Sequence, residues 1–333
     1  MRLARILASS LTSSLALSSS SSTITSLHND LSRLAHLADI AYCVGTTGIT
    51  KPFHCLSHCP LFPSLTLLTT WHTGPLLIDT CGYAALNPSA PEILVVFRGT
   101  YSLANTVMDL SSLPQPYQPY PSPPPPGRQH PDCANCSVHA GFFRSWESAR
   151  PVVLPSITAA REGIPGATVH LVGHSLGGAV ACLAALELKA TLGWPDVRVT
   201  TFGEPRVGNE ALSHYINTIF HLDPPPTPDP QSWSYRRVTH TNDPVPLLPW
   251  SQWGYASHAG EVFISKTALP PSPHDIRPCA GDADADCSAG APRRPLRLAP
   301  WSPLFAHRDY FHRLGLCVPG GDPANWGDSV GEL

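Results

Sequence analysis

The stretch "HLVGHSLGGAVACLAAL", residues 170–186, constrains the fold more than any other part of the chain. An apolar run ends at Gly173, and a small-residue helical run opens directly after Ser175. A run without polar alternation fits a strand buried on both faces of a sheet. Turning from such a strand into a helix at once needs a sharp, strained corner, where side chains at 173 or 177 would strike the neighbouring strand or helix. Gly173-His174-Ser175-Leu176-Gly177 is therefore G-x-S-x-G in the strand-to-helix context that gives the motif its meaning. The corner lifts the Ser175 hydroxyl above the sheet and leaves the amides of a helix N-terminus aimed beside it. A Gly-Ser turn without chemistry explains the glycines but not the long apolar strand before them. Ser175 is read as a nucleophile, presented by an elbow of Gly173, His174 and Gly177.

The unit repeats along the chain. "EILVVFRGT", "VRVTTFGEP" and "YRRVTHTND" read as further strands, and "HAGFFRSWESARPVVLPSITAAREG" and "NEALSHYINTIF" as helices. Strand and helix in alternation predict an α/β chain: one domain with a mainly parallel central sheet and helices on both faces. At 333 residues the chain is long enough to bury a core without crosslinks. The segment "SLHNDLSRLAHLADIAYC" predicts a helix that starts at Asn29/Asp30 and ends near Cys43. The proline-rich segments 114–132 and 223–230 are expected as surface loops, since proline removes a donor and the rhythm resumes behind them.

Composition excludes some functions. With 14% charged residues and a net charge of −3, the chain lacks the basic face of a nucleic-acid binder. Its 16 histidines are scattered, without paired metal-ligand spacing such as H-E-x-x-H. Asp282, Asp284 and Asp286 alternate as calcium ligands can, but the glycine and closing glutamate of a calcium loop are missing, and a solvated turn is the better reading. Arg2 and Arg5 precede a moderately apolar stretch from Ile6 to Leu17, so residues 1–22 read as a secretory signal, the alternative being a disordered Ser-rich tail. No run of 18 apolar residues is present to span a membrane. Ten cysteines are many for a cytosolic enzyme. The close pairs Cys55/Cys59 and Cys133/Cys136 lack the second pair of a zinc site, which favours disulfides in an oxidising compartment. The sequon Asn135-Cys136-Ser137 has a half-cystine candidate at its centre, which argues against a sugar there.

A hydroxyl such as that of Ser175 is inert at neutral pH without a base. On a sheet of this kind the partners follow the nucleophile in the order acid, then histidine. Asp243 comes just after a predicted strand, at the sheet's carboxyl end, although Asp-Pro is also a common turn. "FAHRDYFHRLG" offers two histidines, His307 and His312. An anion pocket would take one amide from Leu176 and a second donor, amide or hydroxyl, from Thr100 at the end of "VVFRGT".

"VVFRGT", "HAGF", "VGHSLGGA", "TFGEPRVGN", "THTNDPVPLLP" and "HRDYF" stand in the order found in the class 3 lipases of filamentous fungi, and the chain resembles that family from about Leu27 to Cys317. The resemblance implies an α/β-hydrolase domain over 27–320, with 321–333 as a C-terminal tail. It implies Ser175 as nucleophile, Asp243 as orienting acid and His307 as base, because the family's histidine precedes x-x-Tyr-Phe. It further implies Thr100 and Leu176 as oxyanion donors and His258 as a structural histidine. A short amphipathic lid would follow the "RGT" strand, with Leu103, Val107, Met108 and Leu110 as its apolar residues. Bridges Cys43–Cys317, Cys55–Cys59, Cys133–Cys136 and Cys279–Cys287 would follow the family pattern, leaving Cys81 and Cys182 over, the latter a buried thiol. The implied activity is that of a secreted triacylglycerol lipase working through an acyl-enzyme. It would need no metal or organic cofactor, touch a lipid–water interface transiently and act as a monomer. A feruloyl or other soluble-substrate esterase on the same fold is the alternative, and an inactive binding protein is a further one.

Overall fold

A computed structural model of the chain describes residues 3–74, 80–100, 114–119, 132–225, 227–290 and 306–323, with side chains described from residue 22 onward. In chain order the elements are α1 (Leu3–Ile40), β1 (Thr66–His72), β2 (Cys81–Asn87), β3 (Glu92–Phe97), β4 (Pro114–Pro116), β5 (Ser137–His139), α2 (Ala140–Gly163), β6 (Thr168–His174), α3 (Leu176–Leu186), β7 (Val197–Phe202), α4 (Glu210–Phe220), β8 (Tyr235–His240), β9 (Glu261–Ile264), β10 (Ile276–Pro278), β11 (Asp309–Tyr310) and β12 (His312–Arg313). The central sheet has eight strands in the order β1-β2-β3-β6-β7-β8-β9-β10. Strands β3, β6, β7, β8 and β9 run parallel, and β1, β2 and β10 add antiparallel edges.

The two faces follow from the two-residue period of a strand. In β3, Ile93, Val95 and Phe97 join the cluster that holds Trp146 of α2 and Val180 of α3. Leu94 and Val96 point the other way, into the cluster built on Leu27, Leu31 and Leu34 of α1. α2 carries Pro151 and Pro155 without ending, because both lie on its exposed side, where the carbonyls they free can meet water. Its buried residues Phe142, Trp146, Ala149, Val153 and Ile157 keep helical spacing through both prolines.

Two expectations are corrected. Asn29 and Asp30 do not start α1 but lie inside it, since no glycine or proline interrupts the chain between Leu3 and Ile40. Asp30 instead pairs with Arg236 of β8 at 2.7 Å. The sheet is also wider than the strands foreseen, because β1 is a half-polar edge strand, β2 is built of small residues rather than a β-branched run, and β9 and β10 are too short to carry a periodic signal.

Disulfides join Cys43 to Cys317, Cys55 to Cys59, Cys133 to Cys136 and Cys279 to Cys287, while Cys81 and Cys182 are buried free thiols. Asp284 accepts the amides of Ala280 and Asp286, so its carboxylate closes a turn. Cys43–Cys317 spans 274 residues and ties the end of α1 to the C-terminal segment. Loop-closure entropy assigns such a bridge about 5 kcal/mol, against about 2 kcal/mol for a loop as short as Cys55–Cys59. Replacing Cys43 and Cys317 together by serine is expected to lower the thermal midpoint by roughly 5–10 °C, and the Cys55/Cys59 pair by less. A calorimetric scan of the two double variants gives the comparison, and equal shifts would count against loop length as the cause.

Candidate active site

β6 and α3 meet at Ser175, whose backbone sits at φ 58°, ψ −130°. That conformation is costly for a residue with a Cβ and persists only where the surroundings enforce it. The glycines on either side let them do so. A Cβ on Gly173 would lie 2.3 Å from the Gly177 carbonyl, and one on Gly177 would lie 2.4 Å from that of Phe97. The Ser175 amide donates to the Phe202 carbonyl of β7 at 2.9 Å, which pins the corner to the next strand. Ser175 is 1% exposed, and its Oγ has no hydrogen-bond partner among the described residues.

Asp243 stands in the turn after β8, where its amide donates to the His240 carbonyl at 3.1 Å and Asn242 takes φ 67°. His307 comes from the distant C-terminal segment, just before β11. Its Nδ1 is 2.9 Å from Asp243 Oδ2 and 3.0 Å from Oδ1. The Asp243 carboxylate also accepts the Val245 amide at 2.9 Å and the Tyr310 hydroxyl. Burial alone would push its pKa up. The adjacent His307 ring and these hydrogen bonds outweigh burial and hold it below the usual carboxylate value. An ionised carboxylate only accepts, so the proton of the pair sits on Nδ1 and leaves the lone pair on His307 Nε2. That Nε2 also has no hydrogen-bond partner among the described residues.

Gly203 packs the imidazole against the elbow. Its Cα lies so close that a Cβ there would be 2.9 Å from His307 Cε1 and 3.0 Å from Asp243 Oδ2. Gly203 directly follows Phe202, the acceptor of the Ser175 amide, so the ring and the corner share one short piece of backbone. His174 adds a second link: its ring stands 4.8 Å from the His307 ring, and its Nε2 donates to the His307 carbonyl at 2.8 Å. The carbonyl can only accept, so His174 Nδ1 accepts the hydrogen bond of the Tyr42 hydroxyl at 2.6 Å. Burial, then the nearby His307, bring the His174 pKa down to about 3, which keeps that ring neutral.

Leu176 is the first residue of α3, so its amide has no intrahelical acceptor. Thr100 is half-buried after β3, next to Gly99, where a Cβ would lie 2.8 Å from that of Ser175. Leu176 thus adjoins Ser175 on α3, and the loop that carries Thr100 packs against the Ser175 corner through Gly99. The lid residues Leu103, Val107, Met108 and Leu110 lie outside the described residues.

His312 does not join this group: it stacks on His36 of α1 at 4.1 Å between ring centroids. His258 is buried and bonded to Glu204 at 3.0 Å, and Glu204 also accepts from Tyr235 and Thr201, which makes His258 part of a packed polar network. Sequence reasoning missed Tyr42, Gly99, Gly203 and Tyr310. Only Tyr310 had a signal, the fixed x-x-Tyr spacing after His307. A hydroxyl, a lone-paired imidazole nitrogen, a buried carboxylate and two amides can carry out acyl transfer without other groups.

Comparison with known proteins adds an independent line. The family described as Lipase (class 3) matches residues 94–253. "Secreted mono- and diacylglycerol lipase 2" of Gibberella zeae is 52% identical over 342 residues, 89% of this chain and 83% of that protein. "Lipase A" of Sodiomyces alcalophilus is 49% identical over 356 residues, 92% of this chain and 86% of the other. Among solved structures, the Lip2 lipase of Yarrowia lipolytica superposes with a TM-score of 0.77 at 31% identity, covering 88% of this chain and 96% of that one.

Proposed function

The chain belongs to the class 3 lipase family, and on that premise we propose that it is a secreted lipase that hydrolyses acylglycerols, triacylglycerols first, through an acyl-enzyme. In this reading Ser175 attacks the ester carbonyl. His307 takes the hydroxyl proton on Nε2 and returns it to the leaving alcohol, and Asp243 holds the imidazole and favours its charged form. The amides of Leu176 and Thr100 hold the oxyanion, and water repeats the sequence to release the acid. Residues 1–22 act as the secretory signal, the enzyme works as a monomer, and it meets its substrate at a lipid–water interface.

The observation that carries the proposal is the His307–Asp243 contact at 2.9 Å with the two reacting atoms, Ser175 Oγ and His307 Nε2, left unpartnered and buried. An unsatisfied buried hydroxyl and ring nitrogen cost free energy and are kept where chemistry needs them. A second reading, hydrolysis confined to partial glycerides, is favoured by the printed name of the 52%-identical relative.

A fluorophosphonate probe should label the purified chain at Ser175. Emulsified triolein should be hydrolysed at least about tenfold faster than methyl ferulate at equal ester concentration. Turnover of diolein and monoolein without triolein would select the partial-glyceride reading. A chain that the probe leaves unlabelled is not an enzyme of this kind.

A further inference from the structure

Apart from the candidate active site, the described residues hold one other cluster of titratable side chains with open valences. His36 lies on α1, His58 in the loop bridged by Cys55–Cys59, and His312 on β12. Their rings pack together, with centroids 4.6 Å apart for His36 and His58 and 5.1 Å for His58 and His312. One ring nitrogen from each lies within 4.8 Å of the others. His58 Nε2 and both nitrogens of His312 are buried without a hydrogen-bond partner. Such atoms call for an explanation, and for the two His312 nitrogens the described residues supply no partner.

We propose that His36, His58 and His312 bind one divalent metal ion of the zinc class. Three imidazoles suit zinc, with copper and nickel as competitors, and water completes a four-coordinate shell. Ligand atoms around such an ion sit about 3.4 Å apart, given bonds of about 2.0–2.1 Å, so the 4.8 Å cluster must contract, and the His312 ring must turn out of its 4.1 Å stack on His36 to aim a nitrogen at the ion. One outer-shell bond is in place. His36 Nδ1 donates to the Ser32 carbonyl at 2.8 Å, which leaves the lone pair on Nε2. The buried Asp39 carboxylate, which accepts from Ser57 and the Gly315 amide, stands 3.4 Å from His58 Nε2 without a hydrogen bond to it. The histidines come from segments far apart in sequence, so no linear spacing announces them. The ion would tie α1 and the 55–59 loop to the segment that carries His307, beside the Cys43–Cys317 bridge.

The test uses the full chain stripped with chelator, then dialysed against zinc. About one zinc per chain should be retained, and the thermal midpoint should rise by a few degrees at saturation. Cobalt in place of zinc should show the strong visible bands of a tetrahedral nitrogen site. His58→Gln, which keeps the Cys55–Cys59 loop, should fold and bind zinc at least about a hundredfold more weakly. If that variant does not fold, His36→Gln serves the same comparison, and the cobalt spectrum reads the wild-type chain in any case. Substoichiometric zinc, an octahedral cobalt spectrum, or equal uptake by wild type and the folded variant overturns the proposal.

Discussion

Ser175→Ala is expected to lower kcat on any ester by on the order of 10⁶ and to abolish probe labelling, while the melting midpoint stays within about 2 °C of wild type. The reason for the asymmetry is structural. The Ser175 Oγ makes no hydrogen bond among the described residues, so its removal unpairs nothing. The strained φ of 58° is paid by any residue with a Cβ, and alanine pays the same. What disappears is the atom proposed to form the acyl bond. The proposed oxyanion amides survive and should leave a residual rate some 10³–10⁴ above water. Single-turnover kinetics with a chromogenic ester, where the acyl-enzyme burst should vanish, make the check. A variant that keeps even a hundredth of the wild-type burst would show that another group attacks.

How far all this was legible depends on distance along the chain. The corner at Ser175 is written in contiguous residues, and β3 and β6 announce themselves by apolar runs that β7 and β8 repeat with more polar content. The order of Ser175, Asp243 and His307 could be proposed because each stands beside a local signal. Neither periodicity nor spacing says which of two histidines five residues apart reaches the sheet, and here the choice rested on family resemblance alone. Contacts between remote segments carry no such signal. Tyr42 reaches His174 across 132 positions, and Gly203 is needed both for its φ of 61° and because His307 folds back onto it. The start of α1 was misplaced for the opposite reason: Asn29 and Asp30 look like caps, but a cap needs a chain that bends before it, and none does.

The second large effect separates the two histidines. His307→Ala should cost on the order of 10⁶ in kcat, because a serine without its base is as silent as a base without its serine. The combined Ser175→Ala/His307→Ala variant should be no slower than either alone, since the two side chains act as a unit. Unlike the serine variant, His307→Ala should also lose stability. It strips the Asp243 carboxylate of its Nδ1–H donor in a fully buried setting, a deletion that costs about 1–3 kcal/mol even with the Tyr310 and Val245 donors still in place. His312→Ala touches none of these atoms. Its ring stacks on His36, and β12 stays paired with β11 through the backbone, so it should slow turnover by no more than about tenfold. The three variants are compared by kcat at a temperature where each is folded, with melting curves recorded alongside. If instead His312→Ala removed the activity and His307→Ala kept it, the base would have to come from the β12 side, and the Asp243–His307 pair would be reduced to a structural bridge.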